Sequence, residues 1–224
     1  MALTLHHLER SRSHRILWLF EELGLDYEMV TYARNPKTMR ADPALRAIHP
    51  LGKAPIVSDG DIVVAETGAI IEYVLEHHGA GRLRPAGDGD GADAREYRFF
   101  LHYAEGSLMP PLLVRLIFDT LEAAKLPFFV KPIVRSIVAK VDESYIAGEM
   151  RLHAEFLDTT LAGRPWFAGE TFTAADIQMS YPVEALVNRG RRADSEIRHL
   201  REFVDRIRSR PAYQRALAKG GEVF

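Results

Sequence analysis

Leu3-Thr4-Leu5-His6 alternates apolar and polar residues in the manner of a short first strand. Glu9 to His14, with two serines and two arginines, reads as a polar loop. Ile16, Leu17, Leu19, Phe20 and Leu23 then recur at helical spacing, and Gly24 is placed to stop that helix. Tyr27 to Tyr32 is a second strand. Residues 35–48 are interrupted by Pro36 and Pro43, and Asp42-Pro43 reads as a cap opening a short helix to Ile48. Ile56-Val57 and Ile62-Val63-Val64-Ala65 flank Asp59-Gly60 as a hairpin. Ala69 to His78 is a helix with Gly79 as its exit. The predicted order is β-α-β-α-β-β-α: a parallel βαβ unit, an antiparallel hairpin and a covering helix within residues 1–80.

From Gly79 to Gly91 the pattern breaks into Gly79, Gly81, Pro85, Gly87, Gly89 and Gly91 mixed with aspartates, which is a linker composition. Beyond it the periodicity is helical. Ala92 to Phe118 forms a helix that Pro110-Pro111 must kink or end. The pattern restarts at Leu126-Pro127, and Asp142 to Leu161 is a long amphipathic helix closed by Gly163. Thr173-Ala174-Ala175-Asp176 has the spacing of reciprocal helix capping, a structural role. Ser195 to Arg208 and Ala212 to Lys219 are the last helices, split by Arg210-Pro211. The fold class is therefore α/β in residues 1–80, a linker over 81–91, and all-α from 92 to 224. No internal repeat is evident.

Composition changes this picture little. With 47% hydrophobic and 27% charged residues in 224, the chain is an ordinary globular one. A formal net charge of −2 gives no electrostatic reason to expect nucleic acid or an anionic membrane as partner. No cysteine is present, which excludes disulfides, thiolate metal sites and a cysteine nucleophile, and suits a cytoplasmic protein. The first residues lack a basic region before a long apolar run, so no secretory signal is expected. No stretch approaches the roughly 18 apolar residues of a membrane span. His6-His7 and His77-His78 are adjacent pairs without i,i+4 spacing, so no metal site is expected.

The segment His49-Pro50-Leu51-Gly52-Lys53-Ala54-Pro55-Ile56-Val57 is unusual in placing proline at the head of a strand, where it cannot donate to the ladder. A cis Ala54–Pro55 bond would bend the chain there and turn the Ala54 backbone outward. Backbone exposed in this way suits an extended peptide docking like an added strand.

Four stretches in order resemble the glutathione transferase superfamily over essentially the whole length. They are Ser11-Arg12-Ser13-His14-Arg15-Ile16-Leu17-Trp18, Gly52-Lys53-Ala54-Pro55-Ile56-Val57, Ala65-Glu66-Thr67-Gly68-Ala69-Ile70-Ile71-Glu72-Tyr73 and Thr173-Ala174-Ala175-Asp176-Ile177. The resemblance implies a thioredoxin-like N-terminal domain, an all-helical C-terminal domain, a homodimer and a detoxifying role. It is strongest to bacterial and fungal members with a serine-type site.

Glutathione, the implied co-substrate, must become a thiolate, and a free thiol has a pKa of roughly 8.5. Lowering it by two units needs about 3 kcal/mol. A hydroxyl donating to sulfur beside a helix N-terminus supplies much of that. By resemblance Ser11 is that donor and Ser13 the alternative; the competing reading of either serine is a helix cap. Glu66 and Thr67 would hold the γ-glutamyl end at a helix start, Ala54 and Pro55 the middle, and Lys53 the glycine carboxylate, though a solvated lysine reads almost as well. Arg12 and Arg15, taken as exposed, would add weak positive potential near the sulfur. The small hydrophobic electrophile would lie between the Ser11 loop and the helix carrying His102, Tyr103, Glu105 and Met109, and Glu105 would reach across the dimer towards the tripeptide. The implied reaction is conjugation. The alternatives are glutathione-dependent peroxidase or isomerase chemistry at the same site, and a non-catalytic binding protein on the same fold.

Overall fold

The computed structural model describes residues 3–35, 38, 40–86, 89, 91–189 and 197–224. Met1, Ala2, Pro36, Gly87 and Ser195, used in the expectations above, lie outside the described residues.

Strand β1 (Leu3–Leu8) lies beside β2 (Tyr27–Tyr32) in parallel and β3 (Ile56–Asp59) in antiparallel, and β3 pairs with β4 (Ile62–Ala65). The sheet order is β2-β1-β3-β4, with Leu5 facing Met29 on one side and Val57 on the other. Helix α1 (Ser13–Leu23) packs on β1, and α3 (Thr67–His77) packs on β4 and α1. Between them, α2 (Leu45–Ile48) is one turn long and its cap position is Ala44 rather than the expected Asp42, whose Oδ1 accepts the Ala44 N–H at 2.8 Å in the turn before it. The element order matches the apolar pattern. Several ends differ: β1 runs two residues past His6, α1 begins at Ser13, inside the expected polar loop, α2 begins at Leu45 rather than Pro43, and α3 begins at Thr67 rather than Ala69. Gly24 closes α1 at φ +60°, a conformation glycine adopts without steric cost.

The helical remainder comprises α4 (Ala92–Tyr103), α5 (Met109–Glu122), α6 (Lys131–Val141), α7 (Ala147–Ala162), α8 (Ala174–Arg189), α9 (Arg198–Arg208) and α10 (Pro211–Gly220). Pro110-Pro111 does not end its helix. Residues Ala104–Leu108 form a π-helical turn, with the Met109 N–H reaching back to the Ala104 carbonyl. The prolines then fall in the first turn of α5, where a missing N–H costs little. A second π turn, Asp142–Ile146, forms the start of the long helix expected from Asp142 to Leu161, and Gly163 follows α7. Asp176 accepts the backbone N–H groups of Phe167 and Thr173, each at 2.8 Å. The capping is one-sided: the Thr173 hydroxyl also donates to this carboxylate, at 3.2 Å.

One core joins both halves, with Trp18, Leu19 and Ile70 in the same apolar cluster as Phe167, Ile177 and Tyr213. Helix α10 lies along α1 and is pinned by charge. Glu21 accepts from Arg215 at 2.8 Å and Lys219 at 2.5 Å, and Glu22 from Arg210 at 2.6 and 2.9 Å. No helix among the described residues is long and apolar enough to cross a membrane.

Candidate active site

The turn from β1 into α1 presents two serines in different environments. Ser13 is fully buried: its Oγ accepts the Leu8 N–H at 3.1 Å and lies 3.0 Å from His7 Nδ1 and 2.8 Å from Ser11 Oγ. Ser11 Oγ lies 2.8 Å from the Leu8 carbonyl and accepts the Ser13 N–H at 3.2 Å, so it also caps the helix. Unlike Ser13, it forms part of a cavity wall.

That cavity has a volume of about 830 Å³. One side comes from the α/β half: Leu8, Ser11 and Arg12, the loop before α2, and Gly52-Lys53-Ala54. The other comes from Met109, Leu113 and Leu116 on α5 and Tyr181 on α8. The first side is strongly cationic, with Arg12, Arg34, Arg40, Arg46 and Lys53 against Asp42, whose Oδ1 already accepts the Ala44 N–H. Such a wall focuses positive potential and draws anions. The second side is apolar apart from the Tyr181 hydroxyl. Gly52 sits at φ +57°, where a Cβ would meet Arg46 Cγ at 2.6 Å, so the backbone turns here only as glycine. The Ala54–Pro55 peptide bond is cis.

Behind the cavity lies a polar cluster that spans both halves. Arg15 is buried rather than exposed; its Nη1 donates to the Gln178 carbonyl at 2.7 Å and its Nη2 to Thr67 Oγ1 at 3.1 Å and Glu105 Oε1 at 2.5 Å. Arg12 holds the other oxygen of Glu105 at 2.5 Å. Burial pushes the Glu105 carboxyl upward, but Arg15 and Arg12 outweigh it and hold its pKa below the ordinary range. Glu105 is thus engaged within its own chain by Arg15 and Arg12. Thr67 uses a lone pair on Arg15, so its hydroxyl proton stays free to meet an acceptor at the start of α3. Glu66, just before it, holds φ +71° with an exposed side chain that makes no cap bond. Backbone in this region is costly for a residue with a Cβ and gathers at binding sites.

The expected site residues therefore separate. Ser11, Lys53, Ala54 and Met109 share the cavity wall; Ser13, Pro55, Glu66 and Thr67 are not on it. His102 and Tyr103 are not on it either. His102 is exposed on α4, and the Tyr103 hydroxyl is tied to His153 Nδ1. The adjacent histidine pairs are absorbed by other bonds: His6 by Tyr32 and Ser58, His77 by the Tyr73 carbonyl and His78 by Asp59.

A glutathione S-transferase N-terminal domain model matches residues 1–76, and a C-terminal domain model of the same family matches residues 119–211. Glutathione S-transferase 3 of Schizosaccharomyces pombe is 36% identical over 217 residues, covering 97% of this chain and 87% of the relative. The chain belongs to the glutathione transferase superfamily. Glutathione S-transferase 1 of Saccharomyces cerevisiae is 31% identical, covering 93% of this chain and 91% of that one. Among solved structures, a glutathione S-transferase from Actinobacillus pleuropneumoniae matches with a TM-score of 0.76 and 32% identity, covering 97% of this chain and 92% of that one. A theta-class enzyme from Xanthomonas axonopodis with glutathione bound matches at 0.71 and 25%, covering 99% of each.

The mixed sheet followed by helices is accordingly a thioredoxin-like unit joined to an all-α glutathione transferase half. In this transferase the sequence reading missed Arg34, Arg40, Arg46, Leu113, Leu116 and Tyr181 on the cavity wall. The arginines lie in a loop without periodicity. The α5 leucines lie on a helical stripe that reads equally as core. No local pattern links Arg15 to Glu105, 90 residues on.

Proposed function

We propose that this chain ionises glutathione at Ser11 and conjugates the thiolate to a small hydrophobic electrophile. One observation carries the reading: the Ser11 hydroxyl, at the head of α1, lies on a cavity whose cationic side suits an anionic tripeptide and whose other side is apolar. The bound glutathione of the Xanthomonas relative supports the tripeptide. In this reading Ser11 donates to the sulfur, and Ala54 offers backbone to the middle of the peptide beside Pro55. Lys53 holds the glycine carboxylate. Thr67 and Glu66, with the partial positive charge of the α3 N-terminus, hold the γ-glutamyl end. Met109, Leu113, Leu116 and Tyr181 face the electrophile. His102 and Tyr103 have no part in it.

The proposal includes a glutathione-binding domain of residues 1–80, a linker of 81–91 and a helical domain of 92–224, working in the cytoplasm as a homodimer without metal. Exposed Ile117, Leu121, Ile133 and Ile137 on α5 and α6 leave apolar surface for an assembly to cover. Conjugation assayed across a panel of apolar electrophiles, with product analysis, tests the function. A glutathione adduct whose formation falls in Ser11→Ala is expected. Glutathione disulfide without adduct, or no calorimetric binding of millimolar glutathione, contradicts it.

A further inference from the structure

A line of hydrogen-bonding groups leads away from the cavity into the protein. Ser11 Oγ is 2.8 Å from Ser13 Oγ, Ser13 Oγ is 3.0 Å from His7 Nδ1, and His7 Nε2 is 3.0 Å from the Gly220 carbonyl on α10. All three side chains are buried, at 5%, 0% and 1% exposure, and only Ser11 reaches the cavity.

The direction of these bonds follows from what each atom can do. The Gly220 carbonyl only accepts, so His7 Nε2 carries a hydrogen. In a neutral imidazole Nδ1 is then an acceptor, and the Ser13 hydroxyl shares its one proton between Nδ1 at 3.0 Å and the Leu8 carbonyl at 3.1 Å. Ser13 Oγ, already accepting the Leu8 N–H, has one lone pair left for the Ser11 hydroxyl. In the resting chain the Ser11 proton therefore points inward, to Ser13 or the Leu8 carbonyl, and away from the cavity. A residue that donates to sulfur needs the opposite orientation.

We propose that His7 is the store for the thiol proton of bound glutathione, reached through Ser11 and Ser13. This rests on the reading of Ser11 as the group that meets the sulfur. The S–H bond breaks and an O–H bond forms on Ser11; Ser11 gives its own proton to Ser13, and Ser13 gives its proton to His7 Nδ1. The sulfur keeps the electron pair as thiolate, and His7 becomes imidazolium. The two bonds between Ser11 and His7 have then reversed, while Nε2 still donates to the Gly220 carbonyl. Nδ1–H donates to Ser13, Ser13 to Ser11, and Ser11 to the thiolate, while the Ser13 N–H still donates to Ser11 Oγ. One transfer both removes the proton and turns the hydroxyl towards the charge it stabilises.

The groups around His7 act on its charge in both directions. Burial lowers its pKa, so it starts neutral, while the Gly220 carbonyl and Glu9 on β1 favour the protonated form. His14 on α1 stays neutral, because burial and its neighbour His7 push its pKa down to about 4. On α10 the adjacent Lys219 is neutralised by Glu21 at 2.5 Å. His7 and Ser13 act through Ser11 and are positioning residues.

Proton release is the test, because a purely structural network leaves it unchanged. Wild-type protein is mixed with glutathione in weakly buffered solution near neutral pH, with an indicator dye for released protons and thiolate absorption followed together. The relay gives thiolate with clearly less than one proton released per thiolate, and the nitrogen resonances of His7 move to imidazolium positions in the complex. His7→Gln, whose amide still donates to Gly220, is expected to release a full proton per thiolate and to raise the bound thiol pKa by about one unit, a tenfold fall in its ionisation constant. Ser13→Ala should behave alike and Ser13→Thr should restore the wild-type release. One proton released per thiolate by the wild type, or a neutral His7 in its complex, overturns the relay alone. Absence of thiolate in the wild type overturns the Ser11 reading, and the relay with it.

Discussion

Ser11 and Ser13 stand two residues apart with their hydroxyl oxygens separated by 2.8 Å, yet only Ser11 lines the cavity. This geometry separates the consequences of removing each hydroxyl. A hydrogen bond to a charged group contributes about 1.5–3 kcal/mol, so Ser11→Ala is expected to lower kcat/KM for conjugation by roughly 10- to 100-fold. It also leaves the Ser13 N–H without its acceptor, so a loss of about 1 kcal/mol of stability accompanies it. Ser13→Ala leaves the Leu8 N–H buried without its acceptor and is expected to cost about 1–3 kcal/mol, measured by denaturant unfolding.

Arg15 depends on Glu105 for its counter-charge. Glu105→Ala leaves a guanidinium at 1% exposure with the Gln178 carbonyl, Thr67 and the face of Tyr181 but no carboxylate. Glu105 itself is partly exposed, which moderates the usual cost of breaking a buried pair, so a loss of about 2–4 kcal/mol is expected. Because the same guanidinium fixes Thr67, KM for glutathione should rise more than kcat falls. Unfolding and steady-state kinetics on Glu105→Ala check both.

Glu21 makes the attachment of α10 sensitive to acid. Burial raises its pKa, but Lys219, Tyr27 and Arg215 outweigh this and hold it at about 2, against an ordinary 4.5. The folded value is depressed, so the stabilisation is complete above about pH 4.5 and is lost as pH falls towards 2. Arg215 and Lys219 are about half exposed, and screening reduces the contribution to the order of 1–2 kcal/mol. Stability measured against pH in wild type and Glu21→Gln should differ by that amount at neutral pH and converge near pH 2.

At Gly220 two effects oppose each other. Replacing a helical glycine with alanine ordinarily gains about 1 kcal/mol. Here the new Cβ would stand 2.6 Å from Leu17 Cδ2 and 3.1 Å from His7 Cε1 and Nε2. Overpacking of that kind costs about 1–3 kcal/mol, so Gly220→Ala is expected to be net destabilising in a thermal melt.

The legible parts of this chain are those where a local rule operates. Leu3-Thr4-Leu5, the Asp59-Gly60 hairpin and the Gly24 stop each carry their own periodicity or backbone preference, and the order of the first seven elements follows from them. The break expected at Pro110-Pro111 takes the form of the wider turn at Ala104–Leu108, after which the prolines stand in the first turn of α5. Ser11 and Ser13 were indistinguishable as letters, since orientation at a helix start depends on which carbonyl and imidazole lie beneath. Arg15 was read as an exposed charge because its pairing with Glu105 joins elements far apart in sequence. The cationic wall from Arg34 to Arg46 sits in a stretch with no repeating pattern to read.

The ionisation of bound glutathione tests the account most directly. Thiolate absorption of the protein–glutathione complex is followed against pH in wild type and Ser11→Ala. The expected wild-type pKa lies about two units below the roughly 8.5 of a free thiol, and Ser11→Ala returns it most of the way. A wild-type complex that titrates like free glutathione, or a Ser11→Ala complex that titrates like the wild type, contradicts the account.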